Sequence, residues 1–140
     1  MRSIYALRAL RLLGRDTGVL PLKTADMAST ALIPEKYLEG ILVSLRKAGL
    51  VQSRRGPEGG HVLARTAATI HVTQVLEAIE GPLHVSAEHG SPSADPALDA
   101  CLRDLWRQAE DAVHKTLEPV TIQEIIERTE RLTNINDFNI

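Results

Sequence analysis

A chain of 140 residues has the size of one domain, with or without an appended element, and is long enough for a real but modest core. Its apolar residues are mostly Leu, Ile, Val and Ala and only 3% are aromatic, which favours helix packing over sheet-rich architecture. No run approaches the ~18 apolar residues of a membrane span, no signal-peptide core follows Met1, and the single cysteine excludes an intramolecular disulfide framework, so a cytoplasmic protein with no membrane partner is expected.

Charge is unevenly spread. The net value is −2, but residues 1–65 hold 11 Lys and Arg against 5 acids, +6, which leaves −8 for residues 66–140. Such asymmetry suggests that the first half meets a polyanion and the second does not.

Residues 2–14 read as a helix, with Ile4, Leu7, Leu10 and Leu13 on one side. Arg8, Arg11 and Arg15 recur at three- and four-residue spacing on the other; they either approach a phosphate backbone or form a solvated basic face. Residues 14–21 read as a loop. Thr24 is then placed to cap a short helix through Thr30, with Met27 and Ala28 inward, and Ala31-Leu32-Ile33 turns into a longer helix. Pro34 suits the first position of that helix, where its missing N–H would be unpaired anyway. Leu38, Ile41, Leu42 and Leu45 give it one apolar stripe, and Gly49 ends it directly after Arg46 and Lys47. Glu35, Lys36, Glu39 and Gly40 face away from the core.

A hairpin follows. Val51 and Ser53 alternate with polar neighbours, as do Val62 and Ala64, and Gly56, Pro57, Gly59 and Gly60 lie between. Arg54 and Arg55 sit at the mouth of the turn. Short helix, tight turn, longer helix and arginine-bearing hairpin together make a winged helix-turn-helix. The fold class is therefore mainly α with a small β-hairpin wing.

Beyond the wing, Ile70 to Leu76 opens a helix that stops at Glu80-Gly81-Pro82. Val120 to Ile126 opens in a similar way, with Thr121 and Glu124 expected to form a capping box. Nothing around the two stretches matches, so they read as two similar helix starts and not as a repeat. Residues 83–96 read as a flexible loop. From Ala97 to Leu117 a long helix carries a seam of Leu98, Leu102, Leu105, Ala109, Ala112 and Leu117, widened by Trp106 and Val113. It is too short for a free coiled coil, so the seam packs either on its own domain or on a second copy. The organisation is thus a winged helix-turn-helix over 1–82, a loop over 83–96, and a dimerisation helix plus C-terminal helix over 97–140.

Three stretches, Tyr37-Leu38-Glu39, Leu45-Arg46-Lys47-Ala48-Gly49-Leu50-Val51 and Arg55-Gly56-Pro57-Glu58-Gly59-Gly60, resemble the signature of the Rrf-two (Rrf2) transcription regulators, the group of the IscR, NsrR and CymR types. The resemblance covers nearly the whole chain. It implies a homodimer that crosses its partner through the long helix and binds double-stranded DNA at a palindromic operator, as a repressor. Symmetry favours the same arrangement, because one small winged helix reads few bases. His61 stands where the family usually has tyrosine.

Many members of the family hold an iron–sulfur cluster on three cysteines between the fourth helix and the dimer helix. Here that region offers only Cys101, so no cofactor is expected. The missing ligands, Glu80-Gly81-Pro82 and the terminal Asn136-Asp137-Phe138-Asn139-Ile140 make the chain more similar to the CymR-type branch. Its members control sulfur and cysteine metabolism through a metabolite or partner-protein effector. Cys101 is either a packed thiol or a redox switch acting through a sulfenic acid or intersubunit disulfide. His84, Glu88, His89 and Cys101 match no standard metal spacing, and no metal site is expected.

For DNA, the N-terminal turns of the Pro34 helix enter the major groove, which alone distinguishes all four base pairs. Lys36 can donate to guanine or phosphate, and Glu39 can accept from a cytosine amino group. Tyr37 either directs its hydroxyl to DNA, as the family implies, or packs in the core. Arg55 reaches a narrow minor groove and Arg54 neutralises a phosphate. Gly56, Gly59 and Gly60 permit the turn and a close approach to the duplex. An enzyme is not indicated: the glycine cluster lacks the helix and Lys-Ser/Thr of a phosphate loop, and no nucleophile–base pair is visible. A winged-helix protein-docking module without DNA binding would present a more apolar surface.

Overall fold

The computed structural model describes residues 1–15, 20–82 and 92–138. Among these residues six helices and one hairpin follow in order: α1 Arg2–Arg15, α2 Thr24–Ala31, α3 Glu35–Lys47, β1 Val51–Arg54, β2 Gly60–Leu63, α4 Val72–Glu80, α5 Pro96–Leu117 and α6 Ile122–Phe138. A 3-10 turn, Ala67–Thr69, joins the hairpin to α4.

α1 is the central post. It packs against α2, α3, α4, α6 and β2, and the stripe that does so is Ala6, Ala9, Leu10, Leu12 and Leu13. Small residues at 6 and 9 let neighbouring helices approach closely. Leu38, Ile41, Leu42 and Leu45 are all buried, as helical spacing predicts, and Met27 and Ala28 bring α2 onto the same core. Leu50, Val51, Ile70, Val75 and Ile122 complete it.

Several boundaries move. Pro34 is the residue before α3 and not its first helical position: its backbone is extended (φ −57, ψ 125), while its carbonyl accepts from the N–H groups of Tyr37 and Leu38 at 3.0 and 3.1 Å. Thr24 does not cap α2. Lys23 occupies the cap position without a side-chain bond, and the Thr24 hydroxyl is turned toward the wing instead. Gly49 ends α3 as expected, at φ +72, and Leu50 N–H reaches back to the Leu45 carbonyl at 2.9 Å.

The hairpin register pairs Val51 with Leu63, Ser53 with His61 and Arg54 with Gly60. Leu63 therefore shares the inward face with Val51, and Ala64 falls beyond the strand, its N–H donating to the Leu50 carbonyl at 3.0 Å. A third edge comes from Leu22, which exchanges two backbone bonds with His61, at 3.0 and 2.8 Å.

The two similar helix starts meet each other. His71 and Thr121 form an isolated antiparallel bridge, with Val72 N–H on the Val120 carbonyl and Ile122 N–H on the Ile70 carbonyl, both at 2.9 Å. Only half of the expected capping box at Thr121 forms. Glu124 N–H donates to Thr121 Oγ1 at 3.1 Å, while the Glu124 carboxylate turns to Arg128 at 2.7 Å and Arg131 at 3.6 Å.

α5 begins one residue earlier than expected, at Pro96. Asp95 caps it, with Oδ1 accepting from the N–H groups of Ala97 and Leu98 at 3.0 and 3.1 Å. None of its residues is buried. The seam residues Leu98, Leu102, Leu105, Trp106 and Val113 are exposed among the described residues. No helix among the described residues is long and apolar enough to cross a membrane.

Candidate nucleic-acid interface

α2, α3 and the wing come together on one side of α1, and one histidine links them. His61 on β2 has Nε2 3.0 Å from Thr24 Oγ1, at the start of α2, and Nδ1 3.2 Å from Ser53 Oγ on β1. Arg46, near the end of α3, donates from Nη1 to the same Ser53 hydroxyl at 3.3 Å. A neutral imidazole has one donor and one acceptor nitrogen, and each hydroxyl rotates to suit the one it meets. Burial, and then the Arg46 charge, hold the His61 pKa below the ordinary value, so the neutral form is the one this site selects. His61 thus supplies hydrogen bonds beneath the wing.

The glycines serve the wing's own backbone. A Cβ at Gly59 would lie 2.2 Å from the Arg54 carbonyl oxygen, and one at Gly60 would lie 2.5 Å from the carbonyl oxygen of Leu22. Gly60 also sits at φ +153, a region open mainly to glycine. Gly59 is buried. The close approach that these two permit within the structure is of chain to chain. Gly56, at φ +106, lies at the exposed tip, and its carbonyl accepts from Gly59 N–H at 2.9 Å.

With its inner stripe buried, α3 turns Glu35, Lys36, Tyr37, Glu39 and Gly40 outward, all exposed. Of the two placements open to Tyr37, the core is excluded: the residue is 61% exposed. Arg54 and Arg55 are likewise exposed, and neither forms an ion pair with an acid among the described residues.

Sequence reasoning passed over Arg2. It lines an open cleft of about 500 Å³ together with Lys36, Tyr37 and Gly40, which sets a second cation beside the outer face of α3. Its only sequence signal was a basic residue at the start of a helix that the core pattern assigned to packing.

A family model described as Rrf2, iron-dependent transcriptional regulator, matches residues 1–128. The chain belongs to the Rrf2 family. Among Rrf2 relatives, an HTH-type transcriptional regulator of Mycobacterium tuberculosis is 36% identical over 127 residues, covering 89% of this chain and 78% of that protein. The solved structure of CymR, the global cysteine regulator of B. subtilis, superposes with a TM-score of 0.77 at 28% identity, covering 91% of this chain and 95% of that one. IscR of T. potens gives 0.75 at 26% identity, covering 94% and 88%. The protein is thus an Rrf2 transcriptional regulator built on a DNA-binding winged helix-turn-helix. Both the CymR and IscR types fit, so the shape does not favour one branch.

The iron in the family's description finds no matching donors among the described residues. Cys101 is the only cysteine of the chain and lies exposed on α5. No group of three His, Cys, Asp or Glu among the described residues is arranged to hold a metal ion, whereas clusters take mainly thiolate ligands, about four in number. His84, Glu88 and His89 lie outside the described residues.

Proposed function

We propose that this Rrf2 regulator acts as a homodimer that binds a palindromic operator and represses transcription, without an iron–sulfur cluster and without enzymatic activity. The observation that carries the dimer is the apolar seam of α5: Leu98, Leu102, Leu105, Ala109 and Val113 lie on a 22-residue helix with no buried residue. An exposed row of that length is costly to leave in water, and an isologous pairing of two such helices buries both rows at once. Lys36, Tyr37 and Glu39 then read the major groove, while Arg54 and Arg55, carried past Gly56, Gly59 and Gly60 at the wing, meet phosphate and minor groove. Repression is the sign we infer, the bound dimer excluding polymerase where the operator overlaps a promoter. CymR, described as a global cysteine regulator, supports targets in sulfur and cysteine metabolism.

The test is genomic footprinting of the tagged protein together with sedimentation of the purified chain. Paired half-sites about one helical turn apart, and a dimer in solution, are expected. A monomer, or a footprint without symmetric sites, overturns the proposal.

A second reading attaches to Cys101. It is exposed and precedes Leu102 on the same helix, so a sulfenic acid or intersubunit disulfide formed there would sit beside the dimer seam and alter it. Operator affinity measured before and after mild peroxide treatment, with Cys101→Ser as control, decides that reading. Equal response of the two proteins sinks it.

A further inference from the structure

Arg8, Arg11 and Arg15 line a second cleft, of about 280 Å³, with Leu12 and with Thr30 and Ala31 from the last turn of α2. Among the described residues, no acidic side chain lines it. Arg11 Nε is shielded from solvent and has no hydrogen-bond partner, an expensive state for a donor on a charged group. Arg8 lies over the Tyr5 ring at 5.7 Å from its centroid, a contact that steers the guanidinium without neutralising it.

The Arg8 and Arg11 guanidiniums and the Thr30 hydroxyl, over an apolar floor of Leu12 and Ala31, match a tetrahedral oxyanion carrying two charges. The cleft is not a continuation of the groove on α3. Arg2, which lines that groove, is nine residues from Arg11, two and a half turns of α1, so the two side chains leave the helix on opposite sides.

We propose that this cleft binds the phosphate group of a small phosphorylated metabolite. Ala31, in its wall, directly precedes Leu32, whose backbone is left-handed at φ 53 and forms the turn between α2 and α3. Occupancy bridges α1 to that turn and so adjusts how α3 is presented. The effect on operator affinity rests on the regulator reading; the binding itself does not.

The test is calorimetric titration of inorganic phosphate, and of glycerol phosphate, into the full chain at matched ionic strength with no DNA present. Saturable binding at one site per protomer is expected, weakened about tenfold or more by Arg11→Gln and by Arg8→Gln and retained in Arg2→Gln. Melting curves accompany each variant, and Arg8→Gln, at an exposed position, decides the matter if Arg11→Gln does not fold. Absence of saturable heat overturns the proposal, as does equal affinity in the arginine variants. If free phosphate does not bind while the arginine variants flatten the salt dependence of DNA binding, the cleft serves the DNA backbone and the proposal also fails. Failure to find an operator would leave the calorimetry untouched, so the two readings fall separately.

Discussion

His61 Nε2 lies 3.0 Å from Thr24 Oγ1, so the wing is hydrogen-bonded, side chain to side chain, to the first residue of the helix-turn-helix. The two residues are 37 positions apart, and the contact makes wing and helices one unit.

This unit should loosen in acid. Burial and Arg46 keep the folded-state pKa of His61 below its ordinary 6.5, so on acidification the unfolded chain takes up the proton first. The stabilising contribution is complete above about pH 6.5, the ordinary histidine value, and is lost as the pH falls from there through the lower folded value. The urea midpoint should drop between neutral and mildly acid buffer, and His61→Gln should show a smaller drop. An identical drop in both proteins would assign the effect to other groups.

Gly60→Ala should destabilise the fold by about 1–3 kcal/mol, combining a strained backbone with a forced shift. The added carbon would meet the Leu22 carbonyl oxygen at 2.5 Å and pry that edge from the wing. Urea denaturation gives the loss, and faster amide exchange at Leu22 and His61 locates it.

Arg55→Ala should weaken operator binding by more than about 1 kcal/mol, as loss of a groove-inserted arginine does. Lys36→Ala should lower the slope of log affinity against log salt by about one, if it neutralises one phosphate. Gel-shift titrations across a salt series check both. Unchanged affinity for Arg55→Ala would remove the wing from the interface.

Leu105→Glu should yield a folded monomer. Leu105 is exposed on the single chain, so the protomer loses little, whereas an unpaired carboxylate inside a helix–helix seam is strongly unfavourable. Sedimentation should show the smaller species with unchanged helical circular dichroism, and palindrome affinity should fall with it.

Leu32→Gly should stabilise the protein by about 0.5–1 kcal/mol, the left-handed penalty of a side-chain-bearing residue less the added entropy of glycine. Leu32 is 80% exposed, so no packing is lost. A decrease in thermal midpoint would show that the side chain contributes more than its exposure implies.

The parts legible in the sequence were those written in local periodicity. The α3 stripe from Leu38 to Leu45 and the stop at Gly49 stand as read, because spacing and left-handed backbone are properties of a few adjacent residues. The paired edge at Leu22 could not be read, since one residue cannot display alternation. The turn at Ala31-Leu32-Ile33 was read, but its left-handed backbone at Leu32, which no glycine marked, could not be, nor could the pairing of His71 with Thr121 across 49 intervening residues. Within the candidate interface, Lys36 and Glu39 were visible as charges off an apolar stripe, and Arg55 as a charge at the mouth of a glycine-rich turn. Arg2 and the partners of His61 depend on which helices become neighbours, and only the folded chain reveals that.

The bridge between His71 and Thr121 has a mechanical meaning. It ties the start of α4 to the start of α6, two helices that both pack on α1. The chain between those two starts can vary in length over evolution without redrawing the outer face of α3 or the wing. One winged helix-turn-helix can in this way be kept while the region beyond it diversifies.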